Sequence, residues 1–325
     1  MEAIQRAAQD RTPAAEPALP HDPLPAPARS PGRRRLTGDR VALDGIAWVV
    51  VGGLALFALL PFLILAVNSF SSEHAIINEG YRFWPREWST GAYQLILENP
   101  YKLLRSYAVT IGVTVVGTGT SLLLSSMAAY VLSRKELTTR GSLSFFLYFT
   151  QLFNGGLVPY YLLVSRQLKL GNSLLVLLLV PMFNVMNILI LRNFIQNAIP
   201  EALLEAAKID GASEVGIFFR IVLPLSKPAL ASIGLFTALG YWNDWWTPMM
   251  FVQDERLYPL QYTLYRLISS VNFSAQMVNN VPTMHLPKET LKLAMTVIAT
   301  GPIVFVYPFV QRYFVKGITL GAVKG

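Results

Sequence analysis

Five stretches of the chain contain no charged residue, at 45–72, 106–133, 141–165, 170–191 and 293–311, and a sixth, 228–253, is broken only by Asp244. Each is at least 19 residues long. A helix of about 20 residues crosses the roughly 30 Å of hydrocarbon in a bilayer. Helices of soluble cores seldom run that far without charge, because they keep a polar face for water. The pattern predicts an all-α, polytopic membrane protein with six transmembrane helices spread over 45–310. An even number of spans puts both termini on one side.

Composition supports this reading. Of 325 residues, 53% are hydrophobic and 14% charged, against about 25% charged in ordinary soluble domains. There is no cysteine, so disulfides, thiolate metal sites and cysteine nucleophiles are excluded. His21, His74 and His285 are far apart in sequence, and no metal site or catalytic constellation is expected from them. The net charge of +8 suits either nucleic acid or the positively charged inner loops of a membrane protein, and its placement decides between them.

Residues 1–44 differ from the rest. Seven prolines lie between Pro13 and Pro31, followed by Arg33, Arg34, Arg35 and Arg40. Such a segment cannot bury a core and is expected to be a disordered tail. With the N-terminus inside, the inner segments (1–44, 133–141, 192–228, 311–325) carry 17 Lys and Arg, and the outer ones (69–105, 165–172, 253–292) carry 10. Net charge is then +6 inside and +2 outside. The excess orients the chain with both termini cytoplasmic, and nucleic acid is not expected as a partner.

One inner loop, 200–224, is too long for a plain turn. It reads as a short helix from Pro200, a hinge at Gly211, and a second helix capped by Ser213 and ending near Pro224 and Pro228. Ala206 and Ala207 give the first helix a small-residue face. Periodicity alone fits equally an amphipathic helix lying on the membrane. The pattern Glu205-Ala206-Ala207, then Asp210-Gly211-Ala212, then Ile221-Val222-Leu223-Pro224 resembles the EAA loop of ABC-importer permeases. That resemblance implies the type I ABC importer fold. It also implies that Glu205, Ala206, Ala207, Asp210, Gly211 and Ala212 form a coupling helix docked on a cytoplasmic ATPase subunit.

The six spans and the terminal run from Gly317 to Gly325 resemble the G-type permease half of maltose-related carbohydrate importers. In that family the C-terminal tail, here Lys324 and Gly325, reaches between the nucleotide-binding subunits. Asn154-Gly155-Gly156-Leu157-Val158-Pro159 and Leu257-Tyr258-Pro259-Leu260-Gln261 resemble the polysaccharide and oligosaccharide subgroup, which includes permeases of alginate importers. The partners implied are a second homologous permease, two ATPase subunits carrying ATP-Mg, and an extracytoplasmic solute-binding protein, all assembled in the bacterial inner membrane. Residues 112–117 superficially resemble a phosphate loop, but Thr118-Gly119 stands where Lys-Ser/Thr is required. No cofactor of the chain's own is expected.

Asn154, Trp242, Asn243, Asp244 and Trp245 are candidates for the translocation path. Aromatic rings stack on sugar faces, and Asn and Asp bond hydroxyls. An aromatic interfacial belt, with Asp244 bonding a neighbouring helix end, fits the same residues. The polar outer segment 253–292 suits contact with a soluble partner or passive cover. An ion-coupled secondary transporter would need several intramembrane ionisable residues, and Asp244 is the one clear candidate. A membrane-embedded glycosyltransferase would need clustered acids at one membrane face, and none stands out in the sequence.

Overall fold

The computed structural model describes residues 38–98, 100–277 and 287–304. Among these it is helical, with one isolated antiparallel bridge between Ser71 and Trp88 and no strand. The chain forms two compact units, one up to Phe57 and one from Ala58 onward.

The described part of the first unit is the N-terminal portion of helix α1 (Gly38–Asn68). α1 begins inside the segment expected to be tail, seven residues before the expected start of the first span at 45; its apolar window starts at Leu43. Residues 1–37 of that expected tail lie outside the described residues. Trp48, Val49 and Phe57 on α1 are exposed, as an apolar surface meant for lipid or a partner would be.

In the second unit, the end of α1 is tied back by Asn68. Its Nδ2 donates to the carbonyls of Ile64 and Arg82, and its Oδ1 accepts from the Arg82 amide. Short helices α2 (Glu73–Glu79) and α3 (Gly91–Leu97) follow. The 34-residue α4 (Pro100–Ser133) is the axis of the unit. It packs against α8 (Val185–Ala198) and α11 (Lys227–Trp242). Between α4 and α8 come α5 (Arg140–Leu152), α6 (Leu157–Leu162) and α7 (Leu174–Leu179). After α8 come α9 (Glu201–Ile209) and α10 (Glu214–Ile217), which runs through a π-turn at Phe218–Val222. Beyond α11 lie α12 (Trp246–Phe251), α13 (Leu260–Met277) and a helix, α14, over 288–304.

The six apolar runs are not six unbroken helices. Among the described residues only Leu43–Asn68 and Pro100–Ser133 are continuous, long and apolar enough to cross a bilayer; Glu214–Leu225 and Lys227–Trp242 form a third candidate, bent by 78°. The run at 141–165 breaks at Phe153–Gly156, where Gly156 has φ 92° ahead of Pro159. The run at 170–191 breaks at Val180–Asn184, beside Pro181. Proline and glycine interrupt the backbone ladder without adding charge, so the hydropathy pattern does not register the breaks. In the outer segment 253–292, α13 covers Leu260–Met277 and α14 begins at 288.

Apolar clusters lie along α4. Ala129 and Tyr130 join Ile188, Leu191, Ile217 and Phe218 at its C-terminal end. Val113 joins Val176, Leu177, Tyr241 and Phe251 nearer its middle. The first cluster carries the loop between α8 and α11.

Candidate functional site

α9 forms because Glu201 through Ile209 alternates an apolar inner face with a polar outer one. Leu204 is 5% exposed within the first cluster, and Ala207 packs against that cluster. Glu205, Ala206, Asp210, Gly211 and Ala212 are exposed. The two alanines therefore do not share a face as expected: successive residues are about 100° apart on a helix, so Ala207 turns inward and Ala206 outward. Pro200 precedes the first turn in extended conformation rather than occupying it.

The hinge matches its prediction closely. Gly211 has φ 80°, its amide donates to the Lys208 carbonyl, and the Ala212 amide donates to Ala207. These two bonds close a Schellman motif and satisfy carbonyls the helix end leaves open. Ser213 then caps α10, its Oγ accepting from the Gly216 amide at 3.2 Å. Ile209, at the tip of α9, is 86% exposed and Val215 66%. The loop thus presents a fixed, outward apolar tip beside the carboxylates of Glu205 and Asp210.

Behind the loop is a bracket that sequence reasoning did not find. Lys208 Nζ lies 2.6 Å from Glu136 and 2.8 Å from Glu214. Arg134 pairs with Glu136 at 3.2 Å and lies 3.8 Å from Glu214. Tyr130 Oη donates to Glu214 at 2.5 Å, and Lys135 pairs with Glu201. The turn between α4 and α5 thereby holds both helices of the loop. The Lys208 hydrogen bond, then that from Tyr130, keeps the Glu214 carboxyl below the usual carboxylate range. The Lys208 hydrogen bond, then the Arg134 charge, does the same for Glu136. Both carboxylates raise the Lys208 ammonium in return.

The candidate path residues separate. Asp244 lines a polar cavity of about 460 Å³ together with Asn184, Asn187, Thr237 and Tyr241. Asn187 Nδ2 donates to Thr237 Oγ1 at 3.2 Å there. Asp244 also accepts the Thr247 amide at 2.9 Å and so caps the start of α12. Trp245 stacks on Tyr265 at 4.8 Å and lines a different cavity, of about 260 Å³. The Trp242 indole donates to the Ala299 carbonyl, and the Asn243 amide donates to Leu239 within its own helix. Asn154 is exposed and accepts the Gly156 amide in a local turn, lining neither cavity. Lys324 and Gly325 lie outside the described residues. Among those residues, no group of three or more His, Cys, Asp or Glu is placed to hold a metal ion.

Residues 56–320 match the family described as binding-protein-dependent transport system inner membrane component. The chain belongs to this family. It is 41% identical over 281 residues to the polygalacturonan/rhamnogalacturonan transport system permease protein YtcP of Bacillus subtilis (strain 168), covering 85% of this chain and 97% of that one. It is 38% identical over 275 residues to protein LplC of the same organism, covering 85% and 92%. Among solved structures, it is similar to a chain of a bacterial ABC transporter involved in the import of the acidic polysaccharide alginate. The TM-score is 0.71 at 32% identity, over 86% of this chain and 98% of that one.

As a member of this family the chain is a transport permease with the all-α type I ABC importer fold, an inner-membrane component that works with a substrate-binding protein and an ATPase. In this permease the exposed tip at Ile209 stands in front of the bracket, and the polar cavity lies beside α11. Asn184, Asn187 and Thr237 were missed because they are scattered uncharged polar residues within apolar runs; the breaking proline at Pro181 was the available signal.

Proposed function

We propose that the chain is one permease half of an ATP-driven importer of carbohydrate, with oligosaccharides of acidic polysaccharides as the substrate class. It pairs with a second, homologous permease, two ATPase subunits that bind ATP-Mg, and an extracytoplasmic binding protein. Both termini face the cytoplasm, as the excess of Lys and Arg in the inner segments favours. The chain itself has no nucleotide site; its part is mechanical.

The observation that carries this reading is the loop 200–224. Its Schellman hinge at Gly211 and exposed Ile209 suit a groove on another protein, and the Lys208 bracket fixes it to the end of α4. Closure of the ATPase pair displaces the docked α9, and the bracket passes that displacement to α4 and the helices packed on it. Coupling follows when the ATP-bound and ATP-free partners favour different positions of α9. The substrate class is supported by the relatives, whose names refer to polygalacturonan, rhamnogalacturonan and alginate, all polymers containing uronic acids.

Reconstitution of the whole complex with its binding protein in proteoliposomes tests the reading. Uptake of labelled oligogalacturonate or oligoalginate is expected to require ATP and to be lost in Glu205→Lys. Uptake without ATP, or untouched by that substitution, overturns the coupling assignment. A binding panel of neutral and acidic oligosaccharides on the purified binding protein tests the substrate class separately.

A further inference from the structure

At the end of α4 that carries the coupling loop, a cavity of about 820 Å³ opens between the last turn of α4, the first turn of α5, the end of α8 and the start of α9. Cavities that hold small ligands are commonly about 300–1,000 Å³. Four cationic side chains line it, Arg134, Lys135, Arg140 and Arg192, against the single carboxylate of Glu201. That carboxylate is already engaged by Lys135. Arg134 spends its Nη2 on Glu136 and Glu214. Arg140 and Arg192 are half-buried and have neither an ion pair nor a side-chain hydrogen bond among the described residues. The Nε atoms of Arg134 and Arg192 are buried without an acceptor.

A guanidinium cannot escape burial by losing its proton, and buried donors without acceptors are costly enough to be rare. The N–H groups of Arg140 and Arg192 that face the cavity are the ones left to meet acceptor oxygens from outside the described chain. A planar fork of N–H donors matches the oxygens of phosphate in bidentate fashion. The cavity lies at the end of α4, a helix long enough to cross a bilayer, rather than beside its middle, and basic pockets between transmembrane helices are known takers of phospholipid headgroups.

We propose that this cavity binds a phosphate-bearing anion, held by Arg140 and Arg192 with Arg134 and Lys135 at its edge. The source is either the headgroup of an anionic phospholipid or a soluble phosphate. Because Glu201 of α9 and Arg134 of the bracket belong to the same wall, an occupant rests against the parts that position the coupling loop. Occupancy thereby ties the setting of the loop to the ligand.

The test uses the purified, assembled complex and no transport step, so it stands or falls apart from the proposed substrate and coupling. Phenylglyoxal modification of Arg140 and Arg192 is followed by mass spectrometry, with exposed Arg86 as reference. Slower modification with inorganic phosphate in neutral detergent identifies a soluble source. Slower modification in phosphatidylglycerol nanodiscs but not phosphatidylcholine ones identifies lipid. In either case Arg140→Gln/Arg192→Gln is expected to weaken binding of the effective ligand by at least about tenfold. Arg140→Lys/Arg192→Lys, which keeps the charge but loses the fork, should fall between. Modification of the wild-type complex unchanged by phosphate and by phosphatidylglycerol, or slowed only by galacturonate, overturns the proposal without depending on how the variants fold.

Discussion

Nζ of Lys208 on α9 lies 2.6 Å from Oε2 of Glu136, 72 residues earlier, in the turn after α4. The contact joins α9 to the turn that ends α4 by a side chain instead of the backbone. Lys208→Met and Glu136→Gln are expected to leave the ATPase subunits bound while lowering the sugar moved per ATP. Coupling changes along such networks correspond to about twofold to thirtyfold effects. Parallel assays of uptake and ATP hydrolysis in proteoliposomes read the ratio. An unchanged ratio would show that the bracket only decorates the loop.

The bracket has a defined pH range. Glu136 and Glu214 titrate below their ordinary values in the folded chain. Their stabilisation is therefore present above the unfolded carboxylate pKa of about 4.3 and is lost as pH falls through the lowered folded value. Lys208 is raised, so its contribution is complete below about 10.4 and is lost only above that. The difference in thermal midpoint between wild type and Glu214→Gln should stay constant from about pH 5 to 9. It should shrink on further acidification. Its size corresponds to at most about 1 kcal/mol, because Glu214 is 52% exposed and screened by solvent. A transition in the difference near pH 6–7 would assign the dependence to another group.

Docking on the ATPase should hinge on the tip of α9. Ile209 makes no use of its apolar side chain within the unit, being 86% exposed. Ile209→Asp is expected to cut co-purification of the ATPase subunits at least about tenfold, as hot-spot losses do, with the thermal midpoint of the isolated chain unchanged. Retained co-purification would place the docking surface elsewhere.

Gly117 of α4 faces the buried ring of Tyr241, whose hydroxyl donates to the Leu178 carbonyl at 2.8 Å. A Cβ at position 117 would come 2.5 Å from Tyr241 Cζ, and the tethered ring has little room to retreat. Gly117→Ala is expected to destabilise by about 1–3 kcal/mol, measured as a lower thermal midpoint of the complex in detergent. Gly112→Ala and Gly119→Ala, where a Cβ meets open space, should be near neutral. Equal midpoints for all three would remove the packing argument.

The helix, hinge and cap at 200–213 were legible because each rests on neighbours in sequence: Gly211 on its own φ, and Ser213 on an amide three residues away. The bracket was not, since Lys208, Glu136 and Glu214 read as separate surface charges until the fold brings α9 to the end of α4. Apolar runs likewise identified material for the membrane but not its continuity. Pro181 and Gly156 were visible letters, yet a charge count is blind to both. The candidate path residues do not share one cavity, for a related reason. Trp242, Asn243, Asp244 and Trp245 are adjacent in sequence, but the turn at the end of α11 sends Asp244 and Trp245 to different cavities.

Asp244 is the sharpest test of what the polar cavity does. Its Oδ1 accepts the Thr247 amide at 2.9 Å, fixing the start of α12, while the side chain lines the space shared with Asn187 and Thr237. A negative charge would repel an acidic sugar, so the cap explains the residue better than substrate contact does. Asparagine keeps the acceptor oxygen and removes the charge; alanine removes both. Asp244→Asn is therefore expected to transport oligogalacturonate at wild-type rates with an unchanged thermal midpoint. Asp244→Ala should lose about 1 kcal/mol of stability, the usual value of a helix cap, and uptake should fall with it. Loss of uptake in Asp244→Asn at full stability would reverse the assignment, because only the charge would then have changed.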